Sequence, residues 1–133
     1  KTGIVDPERS IQIGMRTHHE DTHGYQVLDA RWLHRHGVDR AVEAIKARVG
    51  ASACYLTFDI DFLDPAFAPG TGTPVVGGFD THTALEIIRG MAGIRIVGAD
   101  VVEVSPPYDH AETTALAAAS IAHEMLCLMN FRN

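Results

Sequence analysis

Apolar residues in this chain come in short runs that switch between two periods, and the switch points lay out its elements. Ile11 to Met15 is one apolar run and Tyr25 to Ala30 another, with a polar, His-rich stretch from Arg16 to Gly24 between them, which predicts strand, loop, strand. From Val38 the apolar positions Val38, Ala41, Val42, Ile45 and Val49 recur at helical spacing, and Gly50 stands where such a helix ends. This one-faced helix leads into a run from Ala53 to Phe58 that predicts a buried strand closing at Asp59. Asp80 is placed to cap a second helix through Met91, with Leu85, Ile88 and Met91 on one stripe and Gly93 ending it. Ile94 to Val104 is long and mostly apolar, which suits a central strand covered on both faces, and Ser105-Pro106-Pro107 stops it. Thr113 to Met129 is Ala-rich and apolar on most sides, predicting a helix buried against the sheet, a neighbouring domain or another subunit.

Alternating strands and helices imply an α/β fold with parallel strands. Ligands bind such sheets beyond the carboxyl ends of the strands. Two acidic strand ends, Asp59 with Asp61 and Asp100 with Glu103, are therefore expected at one edge.

Composition narrows the partners. The 133 residues suffice for one domain with a core, and a net charge of -6 without a Lys and Arg cluster argues against nucleic acid or an anionic membrane surface. No apolar stretch approaches the roughly 20 residues of a membrane helix. Cys54 and Cys127 show neither Cys-x-x-Cys spacing nor a dense framework, so both read as reduced core thiols in a cytoplasmic protein. The start, Lys1-Thr2-Gly3-Ile4-Val5-Asp6-Pro7, has no initiator Met and no secretory core, and the chain is expected to be a piece of something longer.

The chemistry concentrates at Asp59-Ile60-Asp61. Residues i and i+2 of a strand share a face, so two carboxylates meet at its end. At about 4 Å and an effective dielectric of about 20 their repulsion is about 4 kcal/mol. A shared proton, a Lys or Arg, or a hard divalent cation must offset it, and the stretch between Val49 and Arg89 holds no Lys or Arg. The bland alternative is a strand followed by capping aspartates and a surface turn.

Asp59-Ile60-Asp61-Phe62-Leu63-Asp64-Pro65 continues into Ala68-Pro69-Gly70-Thr71-Gly72-Thr73-Pro74 and Gly77-Gly78, and Glu103-Val104-Ser105-Pro106 follows later. In this spacing, from Thr57-Phe58-Asp59-Ile60-Asp61 through Pro65, Pro69-Gly70 and Gly78, the chain resembles the ureohydrolase family of arginases and agmatinases. Ser10 to Thr17 and Thr113 to Ala119 are similar to bacterial agmatinases as well, so the resemblance covers nearly the whole chain. It implies an arginase-like three-layer α/β/α fold with a mainly parallel sheet, of which residues 1–133 form a single domain or the carboxyl-terminal part. It implies two manganese ions in a complete site, with Asp59 bridging them and Asp61 ligating one. Glu103 would pair with the guanidinium of a small guanidino substrate and Thr73 would help to position it. The implied reaction releases urea, most directly from agmatine to leave putrescine, with arginine or guanidinobutyrate as alternatives. Family members assemble as homo-oligomers, trimers or hexamers. They are about twice this length, and their remaining ligands, a His and an Asp-x-His-x-x-x-Asp type run, have no counterpart here, so the isolated chain is expected to be inactive. Phe62 stands where the family carries small or polar residues.

Two other classes compete. A magnesium phosphohydrolase would use Asp59 as nucleophile and Asp61 as acid, but that class expects Thr or Val where Leu63 stands. A non-catalytic binding or assembly domain would use the same acids only as caps. His19-Glu20-Asp21-Thr22-His23 matches the zinc-peptidase motif, yet its Asp, Thr and following Gly24 do not favour the helix that mechanism needs. His34, His36, His82 and His123 read as solvated or core histidines, and His110, which follows Glu103 closely, is the one to watch near the pocket, with a structural role favoured for it as well. Gly70-Thr71-Gly72 lacks the Lys of a phosphate loop, and there is no Ser nucleophile elbow.

Overall fold

The computed structural model describes residues 3–18 and 20–130. The elements run β1 (Ile11–Met15), β2 (Gln26–Asp29), α1 (Ala30–Val49), β3 (Cys54–Asp59), α2 (Thr81–Gly90), β4 (Ile96–Val102) and α3 (Thr113–Asn130). The expected α/β alternation is present, and both strand pairs, β1 with β2 and β3 with β4, are parallel. Among the described residues the two pairs are separate sheets on one core.

Caps explain most boundaries. Asp80 accepts the Thr83 N–H at 2.7 Å and starts α2, and the Gly50 N–H closes α1 on the Lys46 carbonyl at 3.0 Å. The first turns of α1 lie upstream of the apolar periodicity. Asp29 caps them by accepting the Trp32 N–H at 2.6 Å, and Gly37, at φ 77°, then breaks the helix before Val38. That left-handed backbone is one glycine adopts without steric cost. His34 and His36 therefore sit within a helix, stacked on Phe79 and on Trp32 respectively.

The core joins Leu33, Ala41 and Ile45 of α1 to Ile87 and Ile88 of α2 and to Ala117, Ile121 and Met125 of α3. From the strands, Leu56, Phe58, Ala99 and Val101 pack against it. The expectation that the Ile94 to Val104 segment is covered on both faces is not met. No residue of β4 is fully buried, and Tyr55 and Val97 are 63% and 57% exposed. Its apolar composition alone does not supply a second covering layer. The helix α3 likewise buries one stripe, Thr114, Ala117, Ile121 and Met125, and leaves Leu116 and Leu126 exposed. Cys54 and Cys127 are free and half-buried. No helix among the described residues is long and apolar enough to cross a membrane.

Candidate functional site

The strand β3 carries Asp59 to the carboxyl edge of its sheet, where the Asp59 Oδ1 accepts the Asp61 N–H at 3.0 Å. That bond turns the chain into one 3-10 turn, Ile60–Phe62, whose first residue is wholly buried. With Ile60 pointing inward, Asp59 and Asp61 flank it on the open side, close enough for the two charges to interact. Burial pushes the Asp61 carboxyl above the usual carboxylate range, and the Asp59 charge adds to this. Arg16 opposes the rise and Glu103 reinforces it.

Glu103 joins this edge because β3 and β4 are parallel and in register, with Asp59 opposite Val102. Its backbone has φ 64°, which an ordinary side chain adopts at a cost of about 1–3 kcal/mol. The turn lets Val104 bridge antiparallel to Thr71 and the Ser105 N–H reach the Gly70 carbonyl at 2.7 Å. The loop from Pro69 to Thr73 thus runs beside Glu103, and a Cβ at Gly72 would lie 4.0 Å from the Glu103 Oε2. Thr73 is exposed on that loop, and the loop's bonds among the described residues run through Gly70 and Thr71.

Asp100 does not share the edge. It lies opposite Thr57 within β4 and accepts the Tyr55 hydroxyl at 2.9 Å. It was expected there with Glu103 as part of an acidic strand end, but two residues of strand rise separate it from the end. His110 is exposed, and its backbone serves the start of α3, the carbonyl accepting the Thr113 hydroxyl at 2.9 Å. Of the zinc-peptidase motif, His19 lies outside the described residues. Glu20 to His23 is not helical, and His23 pairs with Asp21 at 3.0 Å.

Several supporting residues escape sequence reasoning. Arg16, just past β1, donates to the carbonyls of Asp61, Phe62, Val75 and Gly14, and so places a positive charge near Asp61 that no neighbour in sequence supplies. Asp64 fits the capping interpretation: it accepts the N–H groups of Ala66, Gly77 and Gly78 and is held below the usual range, the Ala66 bond contributing most. Phe62 turns into the core. It stacks on Phe79 at 4.8 Å and covers Gly14 of β1, so its bulk fills the interior and not the open side of the acids.

The Gly70 end of the loop is tied to α3. The Gly70 N–H donates to the Thr114 hydroxyl at 2.8 Å, and Asp109 accepts the N–H groups of His110, Thr114 and Ala115, each at 2.9 Å. Burial pushes the Asp109 carboxyl up, but the Thr114 and Ala115 N–H bonds outweigh it and hold the pKa at about 2. A depressed carboxylate stabilises above its unfolded value and loses that contribution as pH falls through its folded one. Asp109→Ala should therefore lower the melting temperature at neutral pH, and the gap should close as melts are run toward pH 2. Asp61 carries the opposite sign, because ionising it in the fold is disfavoured. Asp61→Asn should raise the melting temperature of the isolated chain at neutral pH, with no gain left in acid. An equal gain at every pH would count against mutual repulsion among these acids.

Among the described residues no Lys, Arg or His is ion-paired to Asp59, Asp61 or Glu103. The two aspartates offer hard oxygen donors of the kind a divalent cation such as Mn²⁺ takes. They fit it as part of a ligand set: no group of three or more His, Cys, Asp or Glu among the described residues is placed to hold a metal.

Comparison with known proteins gives these acids a context. The arginase-family model matches residues 1–127. The chain belongs to the arginase family. It is 55% identical over 129 residues to an agmatinase of Chromobacterium violaceum, which spans 97% of this chain and 40% of that protein. Its fold matches the crystal structure of a hypothetical agmatinase from Burkholderia thailandensis at a TM-score of 0.93 and 55% identity, over 96% of this chain and 41% of that one. The proclavaminate amidino hydrolase of Streptomyces clavuligerus follows at 0.91 and 40% identity, over 94% and 44%. The chain thus spans about two fifths of the length of these arginase-family relatives. The expected family and α/β fold are borne out.

Proposed function

We propose that this chain is the carboxyl-terminal part of a manganese-dependent ureohydrolase that hydrolyses a guanidino compound to urea and an amine, with agmatine giving putrescine as the first choice. The observation that carries this reading is the convergence of Asp59, Asp61 and Glu103 at one sheet edge without cationic side chains paired to them. Identity of 55% and 56% to agmatinases of Chromobacterium violaceum and Proteus mirabilis supports the substrate choice and weighs against the phosphohydrolase and binding-domain alternatives.

Asp59 and Asp61 would hold the manganese ions, Asp59 as the shared ligand and Asp61 for one of them. Bound manganese supplies a water acidified enough to be hydroxide near neutral pH. Glu103 would orient the substrate: a planar guanidinium pairs with a carboxylate through two parallel N–H bonds, which sets the plane of the group as well as its position. Thr73, next to Gly72 on the loop beside Glu103, would help to position that group. In the intact enzyme, read as a cytoplasmic trimer or hexamer, the rest of the polypeptide would supply the remaining ligands.

Urea release by the full-length protein with added Mn²⁺, from agmatine, arginine, guanidinobutyrate and related guanidino acids, tests the reading. Agmatine should give the highest kcat/KM. Urea from none of them would end it, and preference for a guanidino acid would move the substrate while keeping the reaction. The isolated chain should release none and should bind Mn²⁺ weakly in a calorimeter.

A further inference from the structure

We infer that Arg16 is a positioning residue that clamps the main chain of Asp61 and so aims its carboxylate at the cation, an inference resting on the manganese reading above. The Arg16 Nη1 donates to the carbonyls of Gly14 at 3.2 Å and Phe62 at 3.4 Å, and the Nη2 donates to those of Asp61 and of Val75, the latter at 3.1 Å. These four carbonyls come from three stretches far apart in sequence, all meeting one rigid planar fork.

The peptide groups on both sides of Asp61 are thereby held. Its N–H is bound by the Asp59 carboxylate at 3.0 Å and its carbonyl by Arg16. With both ends fixed, φ and ψ have little freedom, and the direction of the Cα–Cβ bond is set. Only side-chain rotation then separates the carboxylate from its ligating position. Arg16 bonds to the carbonyl and not to the carboxylate, so it orients Asp61 without occupying the oxygens a cation needs. Lysine cannot reproduce this, because a point charge on a flexible stem has no fork to span four carbonyls.

A merely structural staple is available for comparison in the same chain. Arg48 gathers the carbonyls of Ser10, Pro7 and Gly24, just ahead of β1 and β2 and so at the opposite end of those strands. The test uses the full-length protein, stripped of metal with a chelator and titrated with Mn²⁺ in a calorimeter, with metal-free melting temperatures recorded alongside. Arg16→Lys and Arg16→Met should each lower Mn²⁺ affinity by about 10–100-fold, the range seen for residues that orient metal ligands. Arg48→Met should lower the melting temperature while leaving the affinity at the wild-type value. Wild-type affinity in both folded Arg16 variants would overturn the inference, as would an equal loss of affinity in Arg48→Met. If the Met variant does not fold, the Lys variant decides; if neither folds, Arg16 is a folding residue and the inference falls. Wild-type protein that takes up no Mn²⁺ sinks the manganese reading itself, a result distinct from uptake that the variants leave unchanged.

Discussion

Asp59→Asn in the full-length protein should lower guanidine hydrolysis by on the order of 10³-fold, while the melting temperature of the metal-free protein stays level or rises. The size follows from the several kcal/mol a bound cation contributes to such hydrolyses, at about 1.4 kcal/mol for each factor of ten. The level stability follows from geometry. Asn keeps an oxygen to accept the Asp61 N–H, so the turn at Ile60 survives, and it removes a negative charge that stands against Asp61. Metal analysis, urea release and thermal melts on one preparation separate the two effects. A large fall in metal-free stability with unchanged metal content would return Asp59 to the role of a turn cap.

Gly78→Ala should cost about 1–3 kcal/mol or more, read as a lower midpoint in urea and a lower melting temperature. A Cβ at Gly78 would lie 2.6 Å from the Asp64 nitrogen, 2.7 Å from the Leu63 carbonyl carbon and 2.8 Å from the Phe62 oxygen. All three are backbone atoms, and the segment cannot retreat without breaking the Asp64 N–H bond to the Phe79 carbonyl at 2.9 Å and the Phe79 N–H bond to Phe62 at 3.2 Å. Because Phe62 follows Asp61 directly, Mn²⁺ affinity of the full-length protein should fall as well. Gly72→Ala is the contrast, since the nearest atom to its Cβ is 4.0 Å away, and its stability should match the wild type. Equal stability of the two variants would show that the backbone crossing at Gly78 is looser than these distances imply.

Both predictions concern residues visible in the sequence pattern, but for different reasons. The pair Asp59 and Asp61 was legible because closing an apolar strand with two acids is a local chemical oddity. Gly78 belonged to a spacing, and its physical reason, a close crossing of two backbones, appears only when residues 62–64 and 78–79 are seen side by side. Asp100 shows the limit of strand-end arguments: its strand runs to the right edge, and its own position lies two residues short of it. Arg16 shows the limit of proximity arguments. No Lys or Arg lies between Val49 and Arg89, and the one that reaches Asp61 comes from 45 residues upstream.

The helices divide in the same way. Residues 38–49, 81–90 and 113–130 carry caps or periodic apolar faces that act within a turn or two, so their helical state is close to decided by neighbours in sequence. Ala30 to His36 is too short and polar to show a period, and its helix rests on the Asp29 cap and the packing of Leu33. Burial was not legible for β4, because an apolar strand is selected for every surface it will meet, and this chain spans only 40% of its relative from Chromobacterium violaceum.

Short-range chemistry thus set the element types, the strand-end acids and the family membership, since caps, periods and motifs act over a few residues. The company those acids keep was decided in three dimensions. Glu103 reaches them by strand register, Arg16 by crossing between β1 and the turn after β3, and the loop at Gly70 by its bond to Thr114, contacts between residues whose separation along the chain leaves no local trace.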